Sequence, residues 1–257
     1  MMKTRHMKTT RRLLLGAVAV AATTLALATV LPFNFTHHGH FQRMMHTGDT
    51  GGKVALADLL QQPGTWGVGA TAGLKGEIIQ IDGKVLVSLG ADDKGRVQAP
   101  MAGEQAVLFA GAQVRQWADV VVPADMDQAQ FEAFVAQQAQ QRGLSLEQPF
   151  VFRVEGRFPR MRWHVVTGVS QASFHGGHGG GDTHSGHANK QSGMKEFHQP
   201  GASGQLMGVY SGASLEGAVS HPGERFHVHY ADSPITVSGH VDAYAVAAGS
   251  VLKLPVQ

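Results

Sequence analysis

The chain has 257 residues, 43% of them hydrophobic and 16% charged, with 33 Gly, 15 His and no Cys. That length and apolar content suffice for a sizeable buried core and argue against wholesale disorder. The missing cysteines exclude a disulfide scaffold, a thiolate zinc site, an iron–sulfur cluster and a cysteine nucleophile, while 15 histidines point toward imidazole metal chemistry.

The basic charge sits at one end. Lys3, Arg5, Lys8, Arg11 and Arg12 precede an uncharged run from Leu13 to Leu31, and Ala26-Leu27-Ala28 has the small-x-small form of a cleavage signal. Residues 1–28 therefore read as an export signal, with Arg11-Arg12 similar to a twin-arginine type. An uncleaved anchor is the alternative, and only in that case is the membrane a partner. Cleavage leaves 16 basic against 19 acidic side chains, a net charge of −3. Nucleic-acid binding then has no basic surface to rest on, so the reading includes no nucleic-acid partner. An exported protein belongs in the periplasm or outside the cell.

Residues 29–54 carry His37, His38, His40 and His46 among Gly, Thr and Met without clear periodicity, and read as a flexible linker. Ile78 to Ile81, then Asp82-Gly83, then Lys84 to Val87 is a strong hairpin signal. Residues 107–122 hold further short strands. The clearest helix lies near 126–142. Asp125 or Asp127 can cap it, Phe131, Phe134, Val135 and Ala139 share a face, and Gly143 stops it. Pro149 to Val154 alternates like a strand, and Arg160 to Val166 reads as its partner across a turn. Residues 173–193 are a Gly/His-rich tract that cannot bury a core. Gly204 to Tyr210, Phe226 to Tyr230 and Thr236 to Val246 resume the strand pattern. The sum is an α+β fold dominated by β-sheet.

The chemistry concentrates in Arg225-Phe226-His227-Val228-His229-Tyr230 and Ser238-Gly239-His240-Val241-Asp242. On a strand, residues i and i+2 point to one face, so His227 and His229 project together. If the two runs are antiparallel neighbours, His240 lands beside them, and three imidazoles on a rigid sheet leave open positions on a metal, as a catalytic zinc requires. A cupin barrel also uses H-x-H, but usually with Glu three or four residues on, where this chain has Asp232 and Ser233. H-x-H alone also suits two surface histidines. His164 and His221 read as surface or hydrogen-bonded residues, and the Trp and Phe residues as core.

These two runs resemble the α-acetolactate decarboxylases, whose G-x-H-x-H-F and G-G-H-V-x-D-Y segments follow in the same order at nearly the same spacing. Upstream, Gly69 to Gly83 is similar to the family's G-T-F-x-x-L-D-G-E-[LM]-I-x-x-D-G, and Arg153 to Phe158 to its R-[IV]-x-G-x-F. The resemblance spans roughly residues 56–250. Ala70 and Lys75 stand where the family usually has Thr and Asp, and the Gly/His tract replaces a family loop.

The resemblance implies a β-sheet protein of two subdomains, usually dimeric, that decarboxylates (S)-2-acetolactate, a 2-hydroxy-3-keto acid, to (R)-acetoin and CO2. It implies zinc held by His227, His229 and His240, a catalytic glutamate at Glu77 and a substrate-contacting arginine at Arg153. The chemistry suits those types. Loss of CO2 leaves an enediolate that a metal can stabilise, a guanidinium can hold the carboxylate, and a carboxyl group or a water can deliver the proton. The family takes a second acidic group from a C-terminal tail. This chain ends at Gln257, so Asp232 or Asp242 are the nearby alternatives. Taken without the resemblance, Glu77 suits a solvated residue beside a hairpin and Arg153 a surface cation paired with Glu155 or Glu132. The competing class is an exported, non-catalytic metal-binding protein, or a degenerate paralogue, that uses the three histidines and the His-rich tract.

Overall fold

The computed structural model describes residues 34–59, 61–168 and 193–256. The expected export signal and residues 173–192 of the Gly/His tract lie outside them. Among the described residues no helix is long and apolar enough to cross a membrane.

The first half of the chain forms one antiparallel sheet. Its strands are β1 (Asn34–His38), β2 (Val54–Ala55), β3 (Thr65–Thr71), β4 (Gly76–Ile81), β5 (Lys84–Leu89), β6 (Val97–Gln98) and β7 (Gln105–Gln113), in the order β1-β7-β3-β4-β5-β6 with β2 also on β7. The β4–β5 hairpin forms as expected, with Ile81 opposite Lys84 and positive φ at both Asp82 (48°) and Gly83 (85°). That backbone twist matches the flanking strands, which is why Asp-Gly serves there. The Asp82 carboxylate also accepts from the Gly64 N–H at 2.7 Å, tying the turn to the start of β3.

The second half forms the other sheet from β8 (Trp117–Val121), β9 (Met126–Asp127), β10 (Phe150–Phe158), β11 (Met161–Val166), β12 (Met194–His198), β13 (Ala202–Tyr210), β14 (Phe226–Asp232), β15 (Ser238–Val246) and β16 (Val251–Pro255). Its order is β12-β11-β15-β14-β13-β10-β16-β8, with β9 on β15, and every pair is antiparallel. One apolar cluster draws Trp66, Val68 and Ile79 from the first sheet and Val154, Met207 and Val209 from the second, so the two sheets pack against each other. This is the sheet-dominated α+β fold expected, with the two sheets as its subdomains.

Among the described residues two α-helices complete it. The expected helix is α2 (Gln128–Gln141), capped by a reciprocal pair. The Asp127 side chain accepts from Gln130 N at 2.9 Å and the Gln130 side chain accepts from Asp127 N at 3.0 Å. Phe131, Val135 and Ala139 are its buried stripe, and the Phe131 ring meets Tyr244 of β15 edge-on at 6.1 Å.

Two expectations are corrected. Part of the segment read as linker is folded. Asn34–His38 pairs with β7 as an edge strand, and α1 (Phe41–Thr47) follows it with Met44 buried. Two glycines punctuate this segment. Gly39 holds φ +80°, where a Cβ would meet the Val107 carbonyl oxygen at 2.1 Å, and Gly48 ends α1 in the left-handed conformation at φ 69°. Second, β11 is not the partner of β10. Both edges of β10 are taken by β13 and β16, while β11 lies between β12 and β15. The short Pro159-Arg160 link only resembles a hairpin turn.

Candidate metal centre

The trio comes together as the strand periodicity requires. His229 lies directly opposite His240 across the β14–β15 pair, and His227 shares the face of His229. Val228 and Tyr230 point the other way into the core. The ring centroids are 5.1 Å (His227–His229), 5.0 Å (His227–His240) and 5.5 Å (His229–His240) apart. One nitrogen from each ring falls within 4.8 Å of the others.

The side chains fit a metal ion. The Val219 carbonyl accepts from His227 Nδ1 at 2.8 Å, which leaves the lone pair on Nε2. That nitrogen is 3.1 Å from His229 Nε2. At that distance the two nitrogens can share one proton or a cation between them. His229 is 0% exposed and its Nδ1 has no hydrogen-bond partner, a state that costs about 1–3 kcal/mol in an interior. Burial lowers His227 to about 4, opposed by the Val219 carbonyl, and burial followed by neighbouring histidine charges holds His229 and His240 well below the usual value. All three therefore present as neutral ligands, and an all-imidazole set suits zinc.

Glu77 reaches this centre from the opposite sheet. It stands on β4 with Ile79 on the same face, and its Oε2 lies 3.7 Å from His229 Nε2. Its Oε1 accepts from the Val166 N–H at 3.3 Å. Glu77 is 3% exposed, and burial pushes its carboxyl up to about 8, with the Asp242 charge in the same direction and the His164 charge and Val166 N–H against it. Burial thus favours its protonated form, beside the imidazoles.

His164 and Asp242 complete the surroundings. His164 on β11 is opposite His240, and its Nδ1 is 2.8 Å from Asp242 Oδ1. Burial lowers His164, but the hydrogen bond to Asp242 and the charges of Glu77 and Asp242 outweigh it and leave it raised. Asp242 is thus the acidic group near the centre. Asp232 instead accepts from the backbone of Thr236 and Val237 and holds a turn.

A cavity of about 320 Å³ opens here, with Glu77, His164, His221, His227 and His240 in its lining. The sequence reading missed His164 and His221 as cavity residues, because both reach it only through tertiary pairing. The spacing of Asp242, two residues after His240, was the one available hint.

Arg153 is not brought to the centre. Its β10 position lies two strands from His229, with Met207 between them. The guanidinium bonds Glu155 Oε1 at 2.6 Å and Gln205 Oε1 at 3.3 Å, and stacks 3.8 Å over the Trp66 ring. Both bonds come from one terminal nitrogen, the buried Nε has no hydrogen-bond partner, and Arg153 does not line the cavity.

The shifts set a pH dependence for the metal-free protein. A histidine depressed from 6.5 contributes stability that is present above pH 6.5 and lost as pH falls toward 4. Glu77, raised from 4.5 to about 8, contributes stability present below pH 4.5 and lost as pH rises to 8. The three depressed histidines oppose Glu77 and the raised His164, so the melting temperature of the metal-free protein should fall between pH 7 and pH 4.5, and more steeply in Glu77→Gln. A flat profile over that range would contradict the buried neutral trio.

Comparison with known proteins places the chain in a family and a fold. The family model for alpha-acetolactate decarboxylase matches residues 37–254. The fold is similar to acetolactate decarboxylase from Bacillus subtilis subspecies spizizenii (TM-score 0.67, 15% identity, 87% of this chain and 86% of that one). It is equally similar to α-acetolactate decarboxylase from Bacillus subtilis strain 168 (TM-score 0.67, 16% identity, 87% and 86%). A Staphylococcus aureus protein of unknown function, described as similar to α-acetolactate decarboxylase, matches with TM-score 0.60 and 16% identity over 86% and 84% of the two chains. No curated protein sequence matches the chain. A match running from β1 to β16 takes in both sheets and every residue of the centre, and by it this chain belongs to the alpha-acetolactate decarboxylase family.

Proposed function

We propose that the protein is an exported, zinc-dependent decarboxylase that converts (S)-2-acetolactate to (R)-acetoin and CO2. The observation that carries this reading is the meeting of His227, His229 and His240 with one buried carboxyl, Glu77, beside a cavity that Glu77, His227 and His240 line. His227, His229 and His240 would hold the zinc, which when bound supplies Lewis-acid stabilisation of negative charge on the substrate's oxygens.

The chain's own groups do the rest. The bond between the carboxyl carbon and C2 breaks, CO2 leaves, and the electron pair stays with the hydroxy-ketone as an enediolate. Glu77 then delivers its proton to C2 from one side, which makes the product chiral. His164, fixed by Asp242, faces the cavity and is the group placed to take the substrate's carboxylate, a role that Arg153 cannot fill from its stack on Trp66. Apolar walls from Val166, Leu108 and Ala70 exclude water from the carbanionic stage. The family resemblance also supports a homodimer.

The test is to incubate zinc-loaded protein with racemic acetolactate. Consumption of one enantiomer with release of (R)-acetoin is the expected result. Acetoin at the spontaneous rate would shift the reading to a non-catalytic metal-binding protein.

A further inference from the structure

His221 lines the cavity without belonging to the metal trio. It reaches the centre from a different side than His164. His164 stands on β11, on one side of β15, while His221 belongs to residues 211–225, which lead into β14 on the other side. The two ring centroids lie 5.0 Å (His164) and 6.1 Å (His221) from that of His240. An exposed ion pair such as His221 with Glu224 would by itself say little. Here the ring is held from several directions. Its Nδ1 is 3.1 Å from Glu224 Oε2, and the Phe41 ring meets it edge-on at 4.2 Å. In the turn that carries it, the Glu224 N–H donates to the His221 carbonyl at 3.0 Å and the Ser220 hydroxyl donates to the Glu224 carbonyl at 2.7 Å. The Val219 carbonyl, two residues before His221, accepts from His227, so the segment is tied to the metal strand itself.

A carboxylate only accepts, so in a neutral ring the Glu224 contact puts the hydrogen on Nδ1 and leaves a lone pair on Nε2. Acetolactate has one hydroxyl, on C2, the carbon that also carries the carboxylate. We propose that His221 is the residue that reads this hydroxyl. Its Nε2 accepts the hydroxyl hydrogen while His164 takes the carboxylate, and the site thereby selects 2-hydroxy acids. This rests on the decarboxylase reading. The hydroxyl keeps its proton throughout, and the bonds broken and formed are those already described.

The experiment compares two acids that have no ketone to drive decarboxylation and differ in one group, 2-hydroxy-2-methylpropanoate and 2,2-dimethylpropanoate, by calorimetry on the zinc-loaded full chain. The wild type is expected to prefer the hydroxy acid. His221→Leu should shrink that preference about tenfold, the worth of one hydrogen bond, at unchanged zinc content. His221→Gln, whose amide oxygen still accepts, should keep most of it. In His221→Leu, kcat/KM for acetolactate should fall by a similar factor. A merely structural role would weaken both acids equally and leave the preference where it was. A preference absent from the wild type, or the same in His221→Leu, would overturn the proposal, and with acetoin still formed it would leave the decarboxylase reading intact. A preference that His221→Leu loses, with no acetoin from either protein, would do the reverse.

Discussion

Replacing His229 with alanine is expected to abolish tight zinc binding, and decarboxylation with it. Of the three imidazoles this one is fully buried, opposite His240 and 3.1 Å from His227, so it joins the strands that carry the set. Its removal leaves two ligands on a surface built for three. Loss of an outer-sphere partner alone costs roughly 10–100-fold in metal affinity, so loss of a ligand should cost at least about 100-fold. The protein should still fold, because the change deletes a buried polar group whose Nδ1 has no partner. Metal analysis after dialysis checks this directly. One zinc per chain retained by His229→Ala would refute the ligand assignment.

Glu77→Gln should separate the carboxyl's chemistry from its place in the wall. Glutamine keeps the shape and can still accept the Val166 N–H through its amide oxygen, but it has no acidic proton to give. Zinc content should stay at the wild-type level. The value of kcat should fall about 10²–10⁴-fold, the range for loss of a positioned general acid, with KM changing far less. Activity within tenfold of wild type would mean that another donor, such as a water, delivers the proton.

The metal trio was legible in the sequence because its geometry follows from strand periodicity. His227 and His229 are two residues apart, and one antiparallel pairing suffices to bring in His240. The β4–β5 hairpin and α2 were legible for the same reason, since their turn and cap chemistry is local. Glu77 was different. Within β4 it is one of two polar residues, with Gln80, among apolar ones, and only the family resemblance marked it; its burial follows from the packing of the opposite sheet.

The misreadings share one cause. Neither Asn34–His38 nor Phe41–Thr47 has a strong pattern of its own, and each is held by partners far along the chain. β1 lies on β7, and the Phe41 ring meets His221 edge-on at 4.2 Å. The false β10–β11 hairpin arose because chain neighbours were taken as sheet neighbours, whereas β15, β14 and β13 lie between those strands. Arg153 matched a family motif by type and spacing, but Trp66 and Glu155 hold its guanidinium away from the cavity. His164 occupies the complementary case. It read as a surface or hydrogen-bonded histidine; the hydrogen bond to Asp242 is present, and the pairing with His240 puts it in the wall.

The most direct test of the account is to titrate metal-free protein with zinc in the presence of racemic acetolactate and follow acetoin. The account predicts acetoin formation that rises linearly with added zinc, breaks at one equivalent per chain and yields the (R) enantiomer. Bound zinc at one equivalent with acetoin no faster than in buffer would contradict it.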